Sequence, residues 1–165
     1  MLAYVAHFRE IDMGSASTTA VLTRDAGSQE LPDSAALTGV KVMVIDDSNT
    51  IRRSAEIFLL QAGCTVILAD DGFDALAKIA DHQPDLIFVD IMMPRLDGYQ
   101  TCALIKKNAK FHQTPVVMLS SKDGLFDRAR GRMVGSDQYL TKPFTKDSLL
   151  KAVATHVKAA APHSN

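Results

Sequence analysis

The sequence predicts an α/β chain, a doubly wound sheet of five parallel strands alternating with five helices. Three observations predict it. Short apolar runs rich in β-branched residues recur between Val40 and Thr141, and each leads into a stretch with apolar residues at helical spacing. Leu86 to Val89 and Val116 to Leu119 are apolar at every position, as strands covered on both faces are. The alternation runs over roughly 120 residues without an internal repeat, the pattern of parallel strands joined by crossover helices.

Taken in order, Val40 to Ile45 is the first strand, ending at Asp46. Ile51, Ala55, Phe58 and Leu59 then mark one face of a helix, which Gly63 stops in the position that tolerates a left-handed residue. Cys64 to Ala69 is the second strand. Gly72 to Asp81 is the second helix, with Phe73, Leu76, Ala77 and Ala80 expected to face inward. Leu86 to Val89 is the third strand. Pro94 and Gly98 frame a loop before a helix over Tyr99 to Asn108. Val116 to Leu119 is the fourth strand, Asp123 to Met133 a helix, and Asp137 to Thr141 the fifth strand. Thr145 to Val157 closes the series, with Leu149, Leu150, Val153 and Val157 inward.

The composition shifts near residue 39. Residues 14–38 are rich in Ser, Thr, Ala, Gly and acids without a sustained period, so residues 1–38 read as a flexible extension, 39–160 as the domain and 161–165 as a tail. A short element over Met1 to Phe8 and a start at Met13 both stay open. Hydrophobic residues make up 47% and charged ones 22%, a globular balance. Eighteen basic against nineteen acidic side chains leave a charge of −1, which disfavours a protein built to grip nucleic acid. Cys64 and Cys102 lie in apolar runs and read as buried thiols of a cytoplasmic protein. No stretch is apolar for long enough to insert in a membrane, and Arg9, Glu10 and Asp12 interrupt the place of a signal peptide.

In such a sheet the site lies at the carboxyl ends of the strands. Those ends are Asp46-Asp47, Asp90, Ser120-Ser121 and Thr141-Lys142-Pro143. Any one of these residues alone reads as a loop polar group or a helix cap. Three carboxylates, a hydroxyl and an ammonium converging on one edge do not. Like charges 4 Å apart at an effective dielectric of 20 repel by about 4 kcal/mol per pair. A hard divalent ion bound by oxygens would offset this, and Mg²⁺ keeps positions open for water or phosphate. A carboxylate beside such an ion can attack a phosphoryl group and become an acyl phosphate.

The set Asp46-Asp47, Asp90, Ser120 and Lys142-Pro143-Phe144, with the loop Met93-Pro94-Arg95-Leu96-Asp97-Gly98, resembles the receiver domain of two-component response regulators over about residues 40–157. The resemblance implies the flavodoxin-like (βα)5 receiver fold and makes Asp90 the phosphorylated aspartate. It gives Asp47 direct contact with Mg²⁺, Asp46 contact largely through water, and the main-chain carbonyl of Met92 a third protein ligand. Ser120 becomes the switch hydroxyl, Lys142 the partner of the phosphate, and Tyr139 the switch aromatic, against the alternative of a half-buried packing ring. The Lys142–Pro143 bond is implied to be cis. Val42 to Glu56 and Ser120 to Phe144 further resemble single-domain regulators of type IV pilus twitching motility. The implied partners are a sensor histidine kinase, or its phosphotransfer domain, and a downstream motility protein. A receiver of this kind is no enzyme beyond its own phosphotransfer and dephosphorylation. With Met92 and Lys122 flanking the reactive centre, dephosphorylation is expected to be slow.

Other readings fit less well. A flavin-binding relative of this sheet would cradle phosphate on a Ser/Thr/Gly-rich loop where Asp46-Asp47 stands. A dehalogenase-type phosphatase would space its two acids one residue apart. Few residues follow Pro143, so a DNA-binding output module is not expected, and the five histidines lack zinc-ligand spacing. Arg128, Arg130 and Arg132 read as a solvated face. A phosphorylation-independent docking scaffold and a receiver of another chemotaxis-like pathway remain as alternatives.

Overall fold

A computed structural model describes residues 34–121 and 125–159. The expectations for residues 1–33, Lys122, Asp123 and the tail from 161 lie outside the described residues. Helix α1 (Ser34–Leu37) leads into β1 (Lys41–Ile45), α2 (Asn49–Gln61), β2 (Thr65–Ala69), α3 (Gly72–His82), β3 (Leu86–Asp90), α4 (Gly98–Lys107), β4 (Val116–Ser120), α5 (Leu125–Met133), β5 (Gln138–Thr141) and α6 (Lys146–Ala159). All five strands pair in parallel, in the order β2-β1-β3-β4-β5. The chain leaves β1 toward β2 on one side and β3 on the other. The crevice of such a sheet therefore opens beyond the carboxyl ends of β1 and β3.

Helices α2, α3 and α4 each begin where a short polar side chain takes up a free N–H. Ser48 caps α2 through the Ile51 N–H at 3.4 Å, and Asp71 caps α3 through Asp74 at 2.7 Å. At α4 the Asp97 carboxylate accepts from Gln100 N–H at 2.8 Å while the Gln100 side chain accepts from Asp97 N–H at 3.1 Å. Gly63, at φ +88°, ends α2 in the left-handed conformation that its position required.

Two apolar layers cover the sheet. On one face Leu59 of α2 and Leu149 and Val153 of α6 pack over Val42, Val44, Phe88 and Leu119. On the other, Ile79 of α3 and Cys102 and Ile105 of α4 pack over Met43, Ile45, Val89 and Met118. Strands β3 and β4 are buried at every residue, as their unbroken apolar character predicts. Both cysteines are buried and free, and burial pushes each thiol up to about 11.

Two sequence readings change. The expected inner face of α3 is wrong. Gly72, Ala75 and Ile79 are buried with Leu76 beside them, whereas Phe73, Ala77 and Ala80 face out. The ordered structure also begins before residue 39. Leu37 is 1% exposed and sits in the core with Leu59, Ala62 and Cys64, so part of the stretch read as extension packs with the domain.

Candidate functional site

Ending β1 and β3 at neighbouring points of one edge puts Asp46 and Asp90 side by side, and Asp47 follows directly. One carboxylate oxygen from each of the three lies within 4.8 Å of the others. Asp46 is fully buried, Asp90 is 5% exposed and Asp47 faces out. Ser120, 3% exposed, ends β4 beside them, because Asp90 and Leu119 stand in register.

Lys142 reaches in from the end of β5. Its Nζ donates to Asp46 Oδ2 at 2.6 Å and lies 3.0 Å from Asp90 Oδ1. Its main chain is pinned as well, with Lys142 N–H donating to the Ser120 carbonyl at 2.5 Å, and the bond to Pro143 is cis. The half-buried lysine is held charged: desolvation opposes the ammonium, but hydrogen bonds and charge from Asp46 and Asp90 win and raise its pKa.

The three acids are not equivalent. Asp46 is engaged on every side, since Oδ1 accepts from Ser48 N–H at 2.9 Å, Oδ2 holds Lys142, and its carbonyl accepts from Arg52 at 2.5 Å. Asp47 has no hydrogen bond or ion pair among the described residues and is open to solvent. Asp90 accepts weakly from Met92 N–H at 3.4 Å. Burial, and next the charge of Asp46, push its carboxyl up to about 6 against the pull of Lys142 and that N–H. The Lys142 ammonium meets two of the three carboxylates and leaves Asp47 unpaired among the described residues, and the hard oxygen set fits an octahedral cation such as Mg²⁺. Asp47 is exposed with no hydrogen bond or ion pair among the described residues, whereas both Asp46 carboxylate oxygens are already engaged.

The loop from β3 to α4 borders the site. Gly98 N–H donates to the Ile91 carbonyl at 2.9 Å, and a Cβ at Gly98 would stand 2.4 Å from the Asp90 carbonyl oxygen. Only glycine allows α4 to start that close to the end of β3. Tyr139 is half-buried against the α4-side core, with Arg128 over its ring at 5.6 Å. Both descriptions offered for Tyr139, packing ring and switch aromatic, fit that position. Sequence reading missed Tyr99. Its ring is buried, its hydroxyl donates to Asp127 Oδ1 at 3.2 Å, and Arg130 lies 4.4 Å above it. Burial and the Asp127 charge push the phenol up to about 12. Arg128 and Arg130 are thus exposed as expected but anchored over rings, which spacing within α5 could not reveal.

Residues 42–154 match the response regulator receiver domain family. Protein PilG of Pseudomonas aeruginosa is 72% identical over 124 residues, covering 75% of this chain and 92% of PilG. The alkaline phosphatase synthesis transcriptional regulatory protein PhoP of Bacillus subtilis is 37% identical over 75% of this chain but only 52% of its own length. Among solved structures, the chemotaxis protein CheY4 of Vibrio cholerae superposes with a TM-score of 0.69 at 32% identity, over 72% of this chain and 98% of that one. No helix among the described residues is long and apolar enough to cross a membrane.

Proposed function

The chain belongs to the response regulator receiver family, whose members signal through phosphorylation, and from that premise we propose that it takes a phosphoryl group onto Asp90. The observation that carries this reading is the gathering of Asp46, Asp47 and Asp90, with one carboxylate oxygen of each within 4.8 Å of the others, and with Lys142 paired to Asp46 and Asp90, at the sheet's carboxyl edge.

With a pKa near 6, Asp90 is ionised at neutral pH and able to act as nucleophile. One Asp90 oxygen forms the bond to phosphorus as the bond from phosphorus to the donor's histidine nitrogen breaks, and the imidazole leaves with that electron pair. Asp47, Asp46, Asp90 and the Met92 carbonyl would hold Mg²⁺, which supplies positive charge against the phosphoryl oxygens. Lys142 is placed to pair with the product phosphate, and the Ser120 hydroxyl to donate to it. Tyr139 then repacks, and the face formed by α5, β5 and α6 changes its affinity for a partner. Self-dephosphorylation is slow, since the Met92 side chain offers an attacking water no hydrogen bond.

The donor is a sensor histidine kinase or its phosphotransfer domain, and the output is contact with a motility protein in the cytoplasm. Likeness to PilG supports the type IV pilus twitching pathway. Incubation with acetyl phosphate or a phosphorylated kinase is expected to label the wild type with an acid-labile group and to leave Asp90→Asn unlabelled. Normal labelling of Asp90→Asn would overturn the assignment. A strain carrying Asp90→Asn that twitches normally would favour a phosphorylation-independent scaffold.

A further inference from the structure

The loop between β3 and α4 contains one of only two non-glycine residues at positive φ among the described residues: Arg95, at +68°. It stands at the centre of a three-residue turn, with Leu96 N–H donating to the Pro94 carbonyl at 2.8 Å. A γ-turn whose central residue has positive φ is rare and strained, and a side chain beyond Cβ makes it worse. Such strain persists only where the surroundings over-determine it.

The surroundings here are the first turn of α3. The Arg95 guanidinium forms an ion pair with the Asp71 carboxylate and lies 5.4 Å above the Phe73 ring. Between those two residues is Gly72, where a Cβ would meet Leu96 Cδ2 at 2.7 Å and Thr101 Oγ1 at 2.4 Å. The loop is therefore seated on α3 through three consecutive residues. The exposed Phe73 ring lies under the guanidinium. Asp71 is a well-placed anchor because its other oxygen is held by Asp74 N–H at 2.7 Å. At the near end, the same loop carries Met92, whose N–H reaches Asp90 at 3.4 Å.

We propose that Arg95 is a positioning residue for the phosphoacceptor site: gripped by Asp71 and Phe73, it holds the Pro94–Leu96 turn and thereby sets the main chain at Met92 beside Asp90. The proposal rests on the reading of Asp90 and the Met92 carbonyl as parts of a Mg²⁺-dependent site. As an exposed pair, Arg95 and Asp71 contribute little to global stability. Their effect is local order.

The test uses the full chain, with Mg²⁺ affinity read by calorimetric titration and Leu96 amide exchange read in metal-free protein. Arg95→Ala removes the grip and keeps the strained turn. Arg95→Gly accepts the positive φ but leaves Asp71 nothing to hold. Asp71→Asn keeps a good helix cap and loses the charge. All three are expected to weaken Mg²⁺ binding three- to tenfold with an almost unchanged melting temperature. Arg95→Ala should also exchange the Leu96 amide at least threefold faster. Mg²⁺ affinities within twofold of wild type for Arg95→Ala and Asp71→Asn would overturn the proposal, and so would wild-type affinity in Arg95→Gly. If the wild type itself binds no Mg²⁺, the site reading fails and the proposal falls with it. If the wild type binds and the variants match it, the proposal alone fails.

Discussion

Asp90 is poised by opposing forces, and its ionisation links the site to folding. Burial and Asp46 raise its carboxyl to about 6, while the unfolded chain ionises near 3.8. Between these values the folded state holds a proton that the unfolded state has lost. The contribution of Asp90 to the stability of the metal-free protein therefore falls as pH rises from about 4 to about 6, then levels off. Two pKa units correspond to roughly 3 kcal/mol at most. Asparagine has the same shape and no charge to desolvate. Metal-free Asp90→Asn is thus expected to melt above the wild type at pH 7.5 and close to it at pH 4, by calorimetry in EDTA. A variant less stable than the wild type at pH 7.5 would show that Lys142 outweighs burial at this position.

At the scale of elements, what was legible in the sequence depended on how local the cause was. Strand ends and the stop at Gly63 follow from short-range rules, so Asp46, Asp47, Asp90, Ser120 and Lys142 come to one edge as a fold with parallel strands requires. On α3 the sequence pattern points Phe73 inward, whereas Ala75 and Ile79 take the core and Phe73 lies outside under Arg95, 22 positions along the chain. Tyr99 and Asp127 escaped for the same reason, since nothing in either local pattern announces a partner across a strand and a loop. The start of α4 shows a close approach that the sequence signalled only as a turn. A Cβ on Gly98 would meet the Asp90 carbonyl oxygen at 2.4 Å and Ile91 Cα at 2.7 Å, both backbone atoms with no rotamer to yield. Gly98→Ala is expected to destabilise by about 2–3 kcal/mol and slow labelling by acetyl phosphate, because β3 or α4 must shift. Denaturant midpoints and labelling rates within error of wild type would show that the junction relaxes freely.

For the whole molecule, a net charge of −1 conceals one edge where three carboxylates gather and the Lys142 ammonium pairs with two of them. With Mg²⁺ held at the proposed site, the folded state is the one that binds it, because the unfolded chain disperses Asp46, Asp47 and Asp90. A ligand that binds only the folded state stabilises it by about 2.7 kcal/mol at a hundred times its dissociation constant. For a domain of this size that is a rise of roughly 10 °C in melting temperature. Protons and the cation compete for Asp90, whose carboxyl is pushed up to about 6 by burial and Asp46. The Mg²⁺-induced rise is therefore expected to be large at pH 8, to shrink as pH falls through 6, and to be small at pH 5. Asp47→Asn should lose most of it at every pH, since Asp47 is the acid left free to meet the ion. Melting curves with and without Mg²⁺ across that range decide the matter. A rise equal at pH 5 and pH 8, or one that survives in Asp47→Asn, would place the cation elsewhere on the molecule.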